Sequence, residues 1–435
     1  VPDTRDRGVA DGDARTTGGV VEVATLAPIP NAIPLLVPTG IVTGPITDPA
    51  ELQDWADRLA ATAGGPVAVD AERASGFRYG SRAYLVQLRR PDLGTALVDP
   101  IPLVDLSVLD LPLADSEWVL HAANQDLPCL AEIGIRPRTL FDTELAGRLA
   151  GLPRVGLGPL VEQVLGLHLR KGHGAADWST RPLPHDWLVY AALDVEVLIE
   201  LRDAMEAELR RQGKLDWALQ EFAAIVDAPP APPRIDPWRR TSGMHRITDR
   251  RTLAVIRELW TTRDSVARRR DVAPHRILPD SAIIAAATAK PSTIGALTAL
   301  AVFSGRMQRR NAELWLSAIG RALTLPADEL PVIRPSGDGP PAPAKWASRD
   351  PAAAARLQAA RVGLAELSER IGTPVENLLS PDIARRLLWS PPEDSGEGVA
   401  AALATRGARP WQIELTAPIL AAALDAGIPG QVTHQ

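Results

Sequence analysis

The stretch VAVDAERASGFRYGSRAYLVQLRR, residues 67–90, decides how the first half of this chain is read. Val67, Ala68 and Val69 follow the break Gly64-Gly65-Pro66, and over 83–89 Tyr84, Val86 and Leu88 alternate with Leu85, Gln87 and Arg89. Two such runs with a short polar connection read as neighbouring strands. Between them stand Asp70 and Glu72. Asp is common in turns, so these acids are open to a plain reading as the end of the first strand. If the strand runs through them, residues two apart point to the same side, and both carboxylates aim at one place. Carboxylates held together repel unless a positive charge lies between them, and a divalent cation is the usual solution.

A turn at Pro91-Asp92-Leu93-Gly94 leads to a third short run over 95–98, and Trp118-Val119-Leu120-His121 reads as a further buried strand. Upstream, Thr47 or Asp48 caps a helix in which Leu52, Trp55, Ala56 and Leu59 recur at helical spacing. Downstream, helical segments are expected near 126–133, 142–149 and 157–165, and a longer helix over 184–211 closes the region. Strands first, then helices interleaved with one more strand, imply an α/β layer fold with a mixed sheet. Residues 1–45 are rich in Gly, Pro, Thr and Asp without an apolar period, and are expected to be a disordered leader to a domain over 46–227.

APPAPPRIDPW, 228–238, begins a stiff proline-rich linker that runs to 240. Beyond it the spacing is helical throughout: one block over 241–325, a second break over 326–346 containing PSGDGPPAPAKW, and another block over 347–428. Two helical blocks after similar linkers suggest a weak internal repeat. The chain of 435 residues carries a formal net charge of -6, yet arginines cluster between Trp238 and Arg321, at 239–240, 250–251, 268–270 and 306–310. That asymmetry marks a candidate phosphate-binding face. Cys129 is the one cysteine, which excludes an intramolecular disulfide, and no Cys/His cluster has zinc spacing. No apolar run approaches the roughly 20 residues of a membrane span, and the N-terminus lacks signal-peptide order, so a cytoplasmic protein is expected.

More acids join the first pair. Asp126 follows an apolar run that turns from strand to helix, and Tyr190 and Asp194 in YAALD lie four apart on one helix face. Each has an ordinary structural reading: Asp126 as an N-cap, Asp194 as a solvated acid, Tyr190 as a core aromatic. Taken in order, the Asp-x-Glu strand, the Asp at a strand-to-helix junction and the Tyr-x-x-x-Asp helix resemble the three exonuclease motifs of the DEDD superfamily. Residues 47–211 resemble the ribonuclease D family through VAVDAER, RAYLVQL, LHAANQDL, FDTELAGRL, DWSTRPLP and YAALDVEVLIEL.

That resemblance implies a ribonuclease H-like fold and hydrolysis of phosphodiesters from the 3′ end with two Mg²⁺ or Mn²⁺ ions. It implies that Asp70 bridges the two ions, Glu72 and Asp194 complete the first site, Asp126 holds the second, and Tyr190 orients the attacking water. The histidine branch of the superfamily places its histidine five residues before the last acid; here that position is Val189, so the tyrosine branch is assigned. The expected substrate is an RNA 3′ end, tRNA precursors being the family's usual one, and a monomer is expected. Two alternatives stay open: a 3′→5′ DNA exonuclease, since sugar choice depends on contacts to the 2′-hydroxyl, and an inactive nucleic-acid-binding protein. The joint presence of the four acids and the tyrosine counts against the second.

Lys171 and His173, in a Gly-rich connection before Trp178, either touch the phosphate backbone or form loop surface; Trp178 and Arg181 match a family segment and read as structural as much as functional. His121 reads as strand packing and Cys129 as core. Residues 246–322 resemble an HRDC domain through RRTLAVIRELWTTRDSVARRRDVAPHRILPDSAII and NAELWLSAI. Within it Arg268, Arg269 and Arg270 suit phosphate contacts, against the common alternative of a solvated charged face. Residues 351–424 resemble the second helical domain of the same family through PVENLLSPDIARRLLW.

Overall fold

The computed structural model describes residues 32–62, 64–103, 105–170, 172–334, 339–394 and 397–425. Its strands are β1 (Ile33–Leu35), β2 (Val42–Ile46), β3 (Val67–Arg73), β4 (Ala83–Arg90), β5 (Gly94–Val98), β6 (Glu117–Leu120), β7 (Thr139–Asp142) and β8 (Leu167–Leu169). Six of them make one sheet in the order β2-β5-β4-β3-β6-β7, while β1 and β8 pair separately. The β3–β4 and β4–β5 pairs are antiparallel; β2–β5, β3–β6 and β6–β7 are parallel. The sheet is therefore mixed, as the element order implied. β3 runs through both acids, with Asp70 opposite Gln87 and Glu72 opposite Leu85.

Alternation along these strands separates two jobs. Val69, Ala71, Val86, Leu88 and Val98 enter the main core with Leu52, Trp55 and Leu59 of the helix Pro49–Ala61, which Asp48 caps by accepting from the Ala50 N–H at 2.8 Å. Leu85 and Leu97 pack on the other side with Trp178, Ala191 and Ala192, which seats the helix His185–Glu196 over the carboxylates of β3. The long helix expected over 184–211 is two helices, His185–Glu196 and Leu198–Arg211, joined at Val197.

The end of the leader expected over 1–45 is ordered: β1 and all of β2 but Ile46 lie inside it, and residues 1–31 of it lie outside those described. β2 (VTGPI) is largely exposed at the sheet edge, where Gly44 and Pro45 are tolerated, so it carries no strand pattern. β1 is recognisable only through β8, a partner far along the chain.

The two helical blocks share one element order. The first has the helix Arg250–Arg270, then Pro274–Ile277, Asp280–Ala289 and, after the short helical pieces Ile294–Thr298, Ala301–Phe303 and Arg306–Arg310, Ala312–Thr324; the second has Pro351–Ile371, Val375–Leu378, Pro381–Trp389, Glu397–Thr405 and Pro410–Asp425. In both, an Asp caps the first helix, which is 21 residues long, and a buried tryptophan precedes it. These tryptophans correct the expected linkers. Trp238 and Trp346 were assigned to 228–240 and 326–346, but each is in its block's core, because a single large side chain can bury even from a proline-rich turn.

Candidate active site

Three separate pieces of chain bring the acids together. β3 aims Asp70 and Glu72 at the helix His185–Glu196, which carries Tyr190 and Asp194 on one face. Oxygens of Asp70, Glu72 and Asp194 all lie within 4.8 Å of one another. Asp126 stands outside that trio on the wall of the same cavity of about 370 Å³, which Tyr190, His121 and Arg73 also line.

The position of Asp126 follows from a carboxylate that sequence reasoning passed over. After β6 the chain turns sharply at Ala122 (φ 60°), and the N–H groups of Ala122 and Ala123 donate to Asp142 at 3.0 and 2.9 Å. The same Asp142 caps the helix Thr143–Leu149 by accepting from the Glu144 and Leu145 N–H groups at 2.9 and 3.2 Å. One buried side chain thus locks the β6 turn to β7. Asp126 sits at the N-cap position of Leu127–Glu132, yet its side chain makes no cap hydrogen bond, so the carboxylate is left to the cavity.

Burial, before any other cause, pushes the carboxyls upward: Glu72 to about 10, Asp126 to about 8, and Asp70 and Asp194 also up. Mutual repulsion adds to this, with Asp70 acting on Glu72, Asp126 and Asp194. Burial also raises the Tyr190 phenol, and the nearby charges of Asp194 and Glu72 add to it. Asp126 Oδ1 is buried without a well-formed hydrogen bond, its nearest positive atom being Arg73 Nη2 at 3.2 Å. A set of carboxylate-only donors, two of them buried, with an unsatisfied oxygen suits hard divalent cations, so these residues fit the metal the motifs imply.

Arg73 was missed. Strict alternation after Glu72 sends residue 73 to the opposite face. The β3–β4 register shifts between Glu72 and Arg73, and Arg73 lines the cavity instead, where its side chain pairs with Asp126 and donates to the Gln125 carbonyl.

His121 contacts Thr143 Oγ1 at 2.9 Å, and burial pushes its imidazole down to about 4, which keeps it neutral; Cys129 is buried with its thiol pushed up to about 12. His173 stands edge-on to Tyr190, ring centroids 5.7 Å apart, and 5.9 Å from Trp187. The loop that carries it is fixed from below. Trp178 is fully buried and donates its indole N–H to the His173 carbonyl at 3.2 Å, and Arg181 pairs with Asp99 through two bonds of 2.6 and 2.9 Å. Lys171 lies outside the described residues.

The three arginines at 268–270 are not in the acid cavity. Arg268 donates through Nε and Nη2 to Tyr79 Oη at 3.2 and 3.1 Å and covers the Tyr79 ring, while Arg269 and Arg270 are exposed in the last turn of their helix. Tyr79 belongs to the loop that leaves β3, so this member of the charge run is committed to a contact between domains.

Residues 44–210 match a family model described as a 3′-5′ exonuclease, 252–319 an HRDC domain, and 339–424 a 3′ to 5′ exonuclease C-terminal domain. Among curated relatives, ribonuclease D of Gluconacetobacter diazotrophicus is 34% identical over 287 residues, covering 64% of this chain and 72% of the relative. A crystal structure of a protein from Bifidobacterium adolescentis is 38% identical with a TM-score of 0.83, covering 91% of this chain and 100% of that one. The crystal structure of Escherichia coli RNase D, described as an exoribonuclease involved in structured RNA processing, is 26% identical with a TM-score of 0.63, covering 87% and 98%.

Proposed function

This chain belongs to the ribonuclease D family and is a 3′→5′ exoribonuclease, and on that premise we propose that Asp70, Glu72, Asp126, Tyr190 and Asp194 perform its chemistry with two divalent cations, Mg²⁺ or Mn²⁺. The observation that carries the reading is the convergence of four carboxylates, Glu72 and Asp126 buried and Asp70 and Asp194 half-buried, and a phenol from three separate segments on one cavity. When bound, the two cations lower the pKa of the attacking water and neutralise the charge developing on the leaving 3′-oxygen.

The protein's own groups divide the remaining work. Asp70, whose carboxylate lies close to those of Glu72 and Asp194, would be the acid shared between the two cation positions, as the family motifs imply. Glu72 and Asp194 complete one position and Asp126 serves the other. The Tyr190 phenol lines the cavity one helical turn from Asp194, stays protonated at neutral pH, and is assigned to orient the attacking water. His173, edge-on to Tyr190 on one side and against Trp187 on the other, offers an aromatic edge suited to the terminal nucleotide. Lys171, Arg269 and Arg270 are assigned to the RNA backbone, whereas Arg268 is assigned first to Tyr79.

The substrate assigned is the 3′ end of tRNA precursors or other stable RNA, handled by a monomer in the cytoplasm. No helix among the described residues is long and apolar enough to cross a membrane. The test is incubation of 5′-labelled RNA and matched DNA with Mg²⁺, Mn²⁺ or chelator, beside Asp70→Asn. Stepwise, metal-dependent shortening of RNA is expected, with a loss of at least about a thousandfold in Asp70→Asn. Faster loss of DNA would promote a DNA exonuclease, and no shortening of either polymer in Mn²⁺ would leave a binding protein.

A further inference from the structure

Among the described residues that line the cavity, Arg73 is the one guanidinium or ammonium, and it stands among the acids. Its guanidinium is divided between two partners on the segment that follows β6: Nη2 lies 3.2 Å from Asp126 Oδ1, and Nη1 donates to the Gln125 carbonyl. The Asp126 side chain is 7% exposed and that of Arg73 is 29% exposed, so the pair spans the cavity from its wall to its mouth. Asp126 is also the acid that stands apart from the Asp70–Glu72–Asp194 trio.

We propose that Arg73 is a positioning residue that acts through Asp126, an exchangeable counter-ion that occupies this carboxylate until a divalent cation takes its place. The inference rests on the reading of the acids as cation ligands. Oδ1 has no well-formed hydrogen bond, so Arg73 neutralises Asp126 without saturating it. A guanidinium and a divalent cation compete for the same carboxylate, because both need its lone pairs and each repels the other. Entry of the cation therefore displaces the Nη2 contact, while the bond to the Gln125 carbonyl keeps the guanidinium at the mouth. The exchange keeps Asp126 in place in the metal-free protein and makes the second cation the weaker of the two.

The test is Mn²⁺ binding to the full-length protein by isothermal titration calorimetry, in wild type, Arg73→Gln, Arg73→Lys, Asp126→Asn and Arg73→Gln/Asp126→Asn. Arg73→Gln is expected to bind the weaker Mn²⁺ about tenfold more tightly, within the range by which groups around metal ligands tune affinity. Arg73→Lys should stay near wild type, and in the Asp126→Asn background Arg73→Gln should change nothing. Phenylglyoxal labelling of the wild-type protein, followed by mass spectrometry, needs no variant to fold: modification of Arg73 should accelerate as Mn²⁺ saturates. Unchanged or weaker Mn²⁺ binding in Arg73→Gln, a gain that persists without Asp126, or Arg73 labelling that slows or stays constant would each overturn the proposal. Absence of any Mn²⁺ binding to wild type would overturn the reading of the acids along with it, which separates the two failures.

Discussion

The two helical blocks share an element order and use the same corner, the turn after the 21-residue helix, to meet the nuclease domain, but the chemistry of the two contacts is opposite. In the first block that corner reaches the β3–β4 loop. Ala273 N–H donates to the Phe77 carbonyl at 2.9 Å, Arg276 to the Gly76 carbonyl at 2.8 Å, and Tyr79 is held by Asp264 and Arg268. Its charged side chains are largely exposed. In the second block the corner is buried. Thr373 Oγ1 donates to the Leu149 carbonyl at 2.8 Å, Lys214 Nζ to the same carbonyl at 2.9 Å, and Trp411 stacks on Trp217 at 4.9 Å. Gly151 (φ +77°) approaches so closely that a Cβ there would lie 2.2 Å from the Gly372 carbonyl oxygen. The second block is thus continuous with the nuclease core, which includes Leu367, Leu378 and Trp411. The first hangs on the loop that begins just after Glu72, Arg73 and Ala74.

The largest effect should come from the buried contact. Trp411 is 2% exposed, so Trp411→Ala is expected to cost about 3–5 kcal/mol, with the nuclease domain and the C-terminal block losing stability in one calorimetric transition. A nuclease transition that stayed at its wild-type temperature would break the comparison.

A pH series sharpens it. Burial pushes the Lys214 amine down to about 8, below its ordinary 10.5. The folded protein then binds fewer protons than the unfolded chain between those values, so stability rises with pH across that window, and the full penalty is present below pH 8. Chemical denaturation of wild type against Lys214→Met at pH 7.5 and pH 10 should show wild type gaining on the order of 2 kcal/mol relative to the variant. A difference that does not move with pH would contradict the buried amine.

The exposed contact should respond least in stability and most in mobility. Tyr79→Ala is expected to cost only about 1 kcal/mol, the scale of a hydrogen bond with a surface charge pair. It should still free the first block, which trypsin would report as faster cleavage after Arg234 in the exposed linker. Equal cleavage in wild type and variant would mean that this loop does not hold the block.

How much of this was legible in the sequence depends on what fixes each residue. The residues proposed to ligate cations were readable because the chemistry demands carboxylates and because strand and helix periods place Asp70 with Glu72 and Tyr190 with Asp194. Arg73 was not readable, since its place depends on a break in the β3–β4 register that no local pattern signals. β1 and β2 were hidden by exposed, Gly- and Pro-containing segments whose partners lie elsewhere. Arg268 read as a phosphate ligand because a charge run is visible, while the Tyr79 that engages it is 189 positions away. The linkers looked complete because proline content is visible and the burial of Trp238 and Trp346 is tertiary.

Anomalous diffraction from crystals soaked in Mn²⁺ shows whether Asp70 is shared between two cations in this cavity. Two peaks are expected, both reached by Asp70, one shared with Glu72 and Asp194 and the other with Asp126. Saturating Mn²⁺ that leaves this cavity empty, or a single peak that Asp70 does not touch, would contradict the account.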